Sequence, residues 1–341
     1  MKRTLRLITP LVMASLLMVL PGCGKSKSGG EKKVRVGVSL PTQRDERWVR
    51  DAQKMREIAQ PLGIDLKMQI SDNDAAKQMS QCENLFAQGI DILILAPHDA
   101  TSAASIVDKA RRVGIKVISY DRLVLNADVD LYISFDNVKV GELQGQFLAQ
   151  RAPKGNYAIF GGAPTDNNAK LFKQGAMSVL QPLADKGDIK IVMDQWIQDW
   201  QPTIAMNLMQ NALTANNNKI DAVLAPNDNT AGGIIQALAQ VGLAGKIPVS
   251  GQDAELTAAQ RIVQGTQTMT VFKDTRLLAT EAINAALRIV QGREAGATSK
   301  TNNNKIDVPS LLLPPVVVDK TNIDAVLIES GYLKKEDVYK K

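Results

Sequence analysis

Three polar pairs stand directly behind short apolar runs: Asp121-Arg122 after Ile115 to Tyr120, Asn227-Asp228 after Ile220 to Pro226, and Gln252-Asp253 after Ile247 to Gly251. A fourth cluster, Gly161-Gly-Ala-Pro-Thr-Asp-Asn-Asn168, follows Asn156 to Gly161 in the same way. With Arg47 and Lys273 they make a complementary set. Asp121, Asp166 and Asp253 can each accept from two hydroxyls, Asn168 and Asn227 can accept and donate, and Arg47, Arg122 and Lys273 are strong donors. Aromatic residues are only 4% of the chain, so the places of the three tryptophans are informative. A single tryptophan is more often core than ligand surface. Trp48, however, follows the first apolar run, and Trp200 (with Trp196) follows one in the second half, so Trp48 and Trp200 could flank a ring from opposite sides. A small ring that bears hydroxyls and has weakly apolar faces is the ligand this chemistry suits.

Other chemistries are poorly supplied. His98 is the only histidine, and no paired cysteine or glutamate spacing accompanies it, which argues against a histidine-based triad and a multi-histidine metal site. Asp72-Asn-Asp74 lacks the glycine and distal glutamate of a calcium loop and reads as a helix cap. Gly161-Gly162 and Gly232-Gly233 belong to no phosphate-binding loop or dinucleotide fingerprint, so no cofactor is expected. Paired carboxylates such as Asp166 and Asp253 could serve an enzyme as acid and base, and composition does not separate that role from hydroxyl acceptance.

The elements that must position these groups are legible as alternation. Val34 to Leu40, Ile64 to Ile70, Ile90 to Ala96 and Ile115 to Tyr120 read as strands; Asp45 to Leu62, Ala75 to Gln88 and Ser102 to Val113 read as helices. The order restarts after Gly155, with strands at 156–161, 189–195, 220–225 and 247–251. Ile90-Asp-Ile-Leu-Ile-Leu-Ala-Pro97 is echoed by Ile220-Asp-Ala-Val-Leu-Ala-Pro226, and Ile115-Lys-Val-Ile-Ser-Tyr-Asp121 by Ile247-Pro-Val-Ser-Gly-Gln-Asp253. This predicts an α/β chain of two doubly wound parallel-sheet lobes, whose ligand lies outside the carboxyl ends of the strands. Gly265 to Lys273 reads as a further strand and Thr275 to Gln291 as a further helix. Three hinge crossings are expected near 134–138, 273–276 and 302–307, giving lobes of 34–136 plus 275–303 and 137–274 plus 304–341.

Lys2, Arg3 and Arg6, the apolar run Leu5 to Leu20 and Leu-Pro-Gly-Cys23 have the order of a bacterial lipoprotein signal. Residues 1–22 would be removed, Cys23 would carry lipid and anchor the protein to a membrane, and 23–33 would form a flexible tether. The apolar run is short for a span, contains Pro10 and ends in Pro-Gly. Removing residues 1–22 takes three basic and no acidic residues, so the net charge falls from +6 to +3. No dense basic block remains, and nucleic acid is not an expected partner. Cys82, left without a partner, is expected to be a buried thiol in a helix.

Several motifs resemble the type I periplasmic sugar-binding proteins: Glu46-Arg-Trp48, Tyr120-Asp-Arg122, Tyr132-Ile-Ser-Phe-Asp-Asn137, Asp166-Asn-Asn-Ala-Lys-Leu-Phe172, Gly251-Gln-Asp253 and Gly265-Thr-Gln-Thr-Met-Thr270. The resemblance covers most of residues 34–292 and implies a non-enzymatic, exported, monomeric receptor. Its ligand would be a monosaccharide, foremost the aldopentose D-xylose, handed to the transmembrane subunits of an ABC permease. Another sugar, or a chemosensory role, would be compatible with it. The implied contacts are Arg47, Trp48, Asp121, Arg122, Asp166, Asn168, Trp200, Asn227, Asp253 and Lys273. Thr42-Gln-Arg-Asp45 and the tail beyond Gly292 depart from the family's pattern. A cytoplasmic repressor of similar fold would need a helix-turn-helix ahead of residue 34, where a signal and a linker are read instead.

Overall fold

The computed structural model describes residues 33–340. The expected signal, Cys23 and nearly all of the tether lie outside the described residues. Among the described residues the chain runs β1 (Arg35–Leu40), α1 (Glu46–Ala59), β2 (Asp65–Ile70), α2 (Ala75–Ala87), β3 (Ile92–Leu95), α3 (Ala104–Arg112), β4 (Lys116–Tyr120) and β5 (Leu131–Phe135). It continues through α4 (Asn137–Arg151), β6 (Gly155–Gly161), α5 (Asn167–Asp185), β7 (Ile189–Trp196), α6 (Pro202–Ala215), β8 (Ala222–Leu224), α7 (Asp228–Gln240), α8 (Leu256–Gln264) and β9 (Met269–Phe272). It ends with α9 (Thr275–Val290), β10 (Ser299–Asn302), β11 (Asp307–Leu313), β12 (Val316–Asp319) and α10 (Lys335–Val338).

The first lobe is one sheet, ordered β10-β11-β5-β4-β3-β1-β2, in which β1 to β5 and β11 run parallel. Its strands are apolar on both sides because helices cover both faces. Val36, Val38, Ile92 and Ile94 pack under α1 and α9, while Leu93, Leu95 and Val117 pack under α2 and α3. Cys82 sits on α2 in that second layer, and burial pushes its thiol up to about 12, the state of an inert thiol. Asp74 caps α2 as expected, accepting from the Lys77 amide.

The second lobe carries β7-β6-β8, all parallel, and the antiparallel pair β12-β9. The strand expected at 247–251 is reduced to isolated bridges, Val223 to Val249 and Gln252 to Val271. Pro248 explains this, since it has no amide hydrogen for a continuous ladder. The segment still runs between β8 and β9 and occupies the missing strand's place.

The chain passes between lobes at 135–137, 272–275 and 313–316. The first two passages join β5 to α4 and β9 to α9. The third lies beyond the place expected for it: β10 and β11 form a hairpin around residues 302–307 inside the first sheet, so 304–313 belong to the first lobe. Asn303 holds that turn in place, donating to the carbonyls of Val124 (3.1 Å) and Ala127 (2.7 Å). Pro314-Pro315, which cannot continue a ladder, mark the true exit.

Candidate ligand-binding site

The carboxyl ends of β1, β4, β6, β7, β8 and β9, with the segment ending at Gln252, converge on a small cavity between the lobes. All ten residues expected at a site line it. The duplicated lobes explain its centre. Asp121 and Asp253 occupy equivalent places after equivalent segments, and both are left-handed (φ 58° and 94°). Each is held by its amide on the following strand, Asp121 on the carbonyl of Ile133 and Asp253 on that of Val271. Their carboxylates meet two cations: Arg47 Nη1 lies 2.6 Å from Asp121 Oδ1 and 3.9 Å from Asp253 Oδ1, and Lys273 Nζ lies 3.7 Å and 3.2 Å from the same atoms.

Arg47 is fixed from below. It bonds the buried Asp51 at 3.2 Å and packs 4.3 Å from the Trp48 ring; Asp51 in turn accepts from the Tyr120 hydroxyl. Burial alone would raise the Asp121 carboxyl, but the charges of Arg47 and Lys273 outweigh it and bring it down to about 2, so Asp121 is a permanent acceptor. Burial also works against the Arg47 charge, which Asp121 and Asp51 nevertheless hold well above its ordinary range.

From the second lobe, Asp166 is the N-cap of α5. Its Oδ1 accepts from the Asn168 amide, while Oδ2 receives Trp200 Nε1 at 3.2 Å and lies 2.8 Å from Arg122 Nε across the cleft. Burial raises this carboxyl, and Arg122 opposes the rise. Asn168 Nδ2 reaches the Asp121 carbonyl at 3.0 Å, and its Oδ1 accepts from Asn137. Asn227 caps α7 through its Oδ1, which leaves its Nδ2 as a donor for the cavity. Trp48 and Trp200 enter from opposite lobes; Trp200 packs edge-on against Phe172, with ring centres 6.4 Å apart. Trp196 lies elsewhere, under Lys173.

Asp45, Phe172 and Gln252 also line the cavity and were absent from the expected contacts. Phe172 was detectable, because it lies one helical turn beyond Asn168 and shares its face. Gln252 stood at a strand end, beside Asp253. Asp45 had only the signature of a helix cap; its side chain instead takes Asn229 Nδ2 of the other lobe at 2.8 Å. Asp228, another strand-end residue, is buried beneath the cavity against Gln267 and Thr270.

Three cations thus face four carboxylates on the cavity wall. The near balance suits an uncharged ligand, because an anion or cation would meet as much repulsion as attraction. Further contacts close the lobes around it: the Leu256 amide donates to Glu46 Oε2 (2.9 Å), the Ala100 amide to the Thr165 carbonyl (2.9 Å), and Arg44 to the Asp199 carbonyl.

The model of the Periplasmic binding protein domain family matches residues 36–294. The D-xylose-binding periplasmic protein of Escherichia coli is 48% identical over 307 residues, 90% of this chain and 93% of that one. The protein of the same description from Haemophilus influenzae is 45% identical, over 92% and 95%. A carbohydrate-transporter solute-binding protein of Chloroflexus aurantiacus, solved in complex with D-glucose, superposes with a TM-score of 0.83 at 37% identity, covering 90% of this chain and 98% of that one. A two-lobed α/β fold, a polar cleft between the lobes and likeness along nine-tenths of the chain converge on one assignment: the chain belongs to the periplasmic sugar-binding proteins, extracytoplasmic solute receptors rather than enzymes.

Proposed function

We propose that this receptor captures D-xylose in the inter-lobe cavity, closes over it, and presents the closed form to the transmembrane subunits of an ABC permease. The observation that carries the reading is the meeting of Asp121 and Asp253, one from each lobe, at Arg47 and Lys273. A ring whose hydroxyls satisfy both carboxylates holds the two lobes together. The small, nearly charge-balanced cavity supports a neutral monosaccharide, and the D-xylose-binding relatives at 48% and 45% identity favour the pentose over the hexose held by the Chloroflexus protein.

In this reading the ten lining residues expected from the sequence divide the work. Trp48 and Trp200 flank the ring; Asp121, Asp166 and Asp253 accept from hydroxyls; Arg47, Arg122 and Lys273 donate; Asn168 and Asn227 do both. Titration calorimetry of residues 24–341 against xylose, ribose, arabinose, glucose and galactose tests it. Tightest binding to xylose is the expected result, and tighter binding to glucose would replace the pentose with a hexose. Cys23 is proposed as the lipid anchor, on its signal-like context. If Cys23→Ala still takes up radioactive palmitate and stays with membranes as the parent does, the anchor lies elsewhere.

A further inference from the structure

Gln252 is 3% exposed, lines the cavity, and its Oε1 is buried with no hydrogen-bond partner. A buried amide oxygen left unpaired costs folding free energy that an apolar side chain of similar size would avoid. The backbone around it is fixed: its carbonyl accepts from the Asp228 amide at 3.0 Å, and its Cα pairs with Val271. In a regular strand Gln252 and Asp253 would point to opposite faces. The left-handed turn at Asp253 breaks that alternation, and both side chains reach the cavity.

The duplicated lobe supplies a comparison within the molecule. Tyr120 stands before Asp121 as Gln252 stands before Asp253. The Tyr120 hydroxyl is satisfied inside the first lobe by Asp51 and does not line the cavity. Gln252 has no such internal partner for its oxygen.

We infer that the Gln252 side-chain amide is a specificity-determining contact, pairing with one ring hydroxyl of the bound sugar beside Asp253. The partner chemistry is a single hydroxyl: the amide oxygen accepts its proton, and the amide nitrogen can serve the oxygen of its neighbour. A site that pairs a hydroxyl with a buried polar group rejects an analogue lacking it much more strongly than a purely apolar pocket can.

The inference rests on the sugar reading above and is tested by a double-mutant cycle. Binding of D-xylose and its four monodeoxy analogues is measured calorimetrically on the parent and on Gln252→Met. On the parent, loss of the hydroxyl that meets Gln252 should weaken binding about tenfold; on Gln252→Met xylose itself should bind about tenfold more weakly and that one analogue should lose no more. Unchanged ratios of every analogue to xylose in the variant would overturn the contact. A parent that binds no sugar would overturn the reading it rests on as well. Should Gln252→Met fail to fold, side-chain amide NMR of the parent decides: the Gln252 amide resonances, assigned by their absence in Gln252→Glu, should move on adding xylose, and fixed resonances would overturn the inference.

Discussion

Asp121 and Asp253 hold a left-handed backbone that aspartate tolerates better than most residues, and Trp200 holds one (φ 56°) that a bulky aromatic rarely adopts. Strain of that kind persists only where the surroundings over-determine it. At Trp200 they do. A Cβ on Gly162 would fall 2.0 Å from the indole, so the Gly161-Gly162 pair makes room for tryptophans where a phosphate loop is absent. The chemistry of the cavity was legible in residue type and strand-end position, which reached most of the ten lining residues that the resemblance implied. Burial state was not, and Asp228 shows why: its spacing matches that of a ligand contact, but its side chain turns inward. Burial pushes its carboxyl up to about 7, with Arg261 opposing and Asp253 adding to the rise. The folded protein therefore holds a proton there that the unfolded chain, at its ordinary value near 3.8, has lost. Asp51, raised to about 6 by burial against the pull of Arg47, acts in the same direction. Stability should fall as pH rises from about 4 to about 7. Thermal melts across that window should show a shallower fall in Asp228→Asn than in the parent, whatever the variant's absolute stability; parallel slopes would mean that Asp228 is ionised throughout.

Glu46, at the start of α1, connects the lobes without lining the cavity that its neighbours Arg47 and Trp48 face. Glu255, the N-cap of α8, makes no side-chain cap, and the Leu256 amide is met instead by Glu46 of the other lobe. A carboxylate suits a helix N-terminus, and this one reaches it only when the lobes are together. Glu46→Ala should therefore weaken binding of every sugar by a common factor of about 3 to 10, because it removes a contact of the closed state alone. Calorimetry with xylose, arabinose and glucose would show this. Loss for one sugar only would place Glu46 at the ligand, and unchanged affinities would mean that the contact adds nothing to closure. Helix and strand positions in the first lobe were readable from apolar periodicity. This cap was not, since it depends on where one lobe meets another. The third crossing was misplaced for a related reason: Asn302 to Lys305 has the composition of a linker, and it is the pairing of β11 with β5, with the Asn303 bonds to Val124 and Ala127, that keeps it in the first lobe.

At the scale of the whole molecule, the repeated strand-end motifs announced two lobes, while the distance between them was outside what one-dimensional pattern carries. Arg122 to Asp166, Asn168 to Asp121 and Lys273 to Asp121 are contacts between groups far apart in sequence, and each spans the cleft. A ligand that satisfies groups from both lobes has its full set of contacts only with the cleft shut, so it must shift the population toward the closed form. A permease can then distinguish loaded from empty receptor by the relative position of two surfaces. Small-angle X-ray scattering of residues 24–341, with and without saturating D-xylose, tests this most directly. The radius of gyration should fall when xylose is added; an identical radius in both conditions, with binding verified in the same sample, would contradict closure on the sugar.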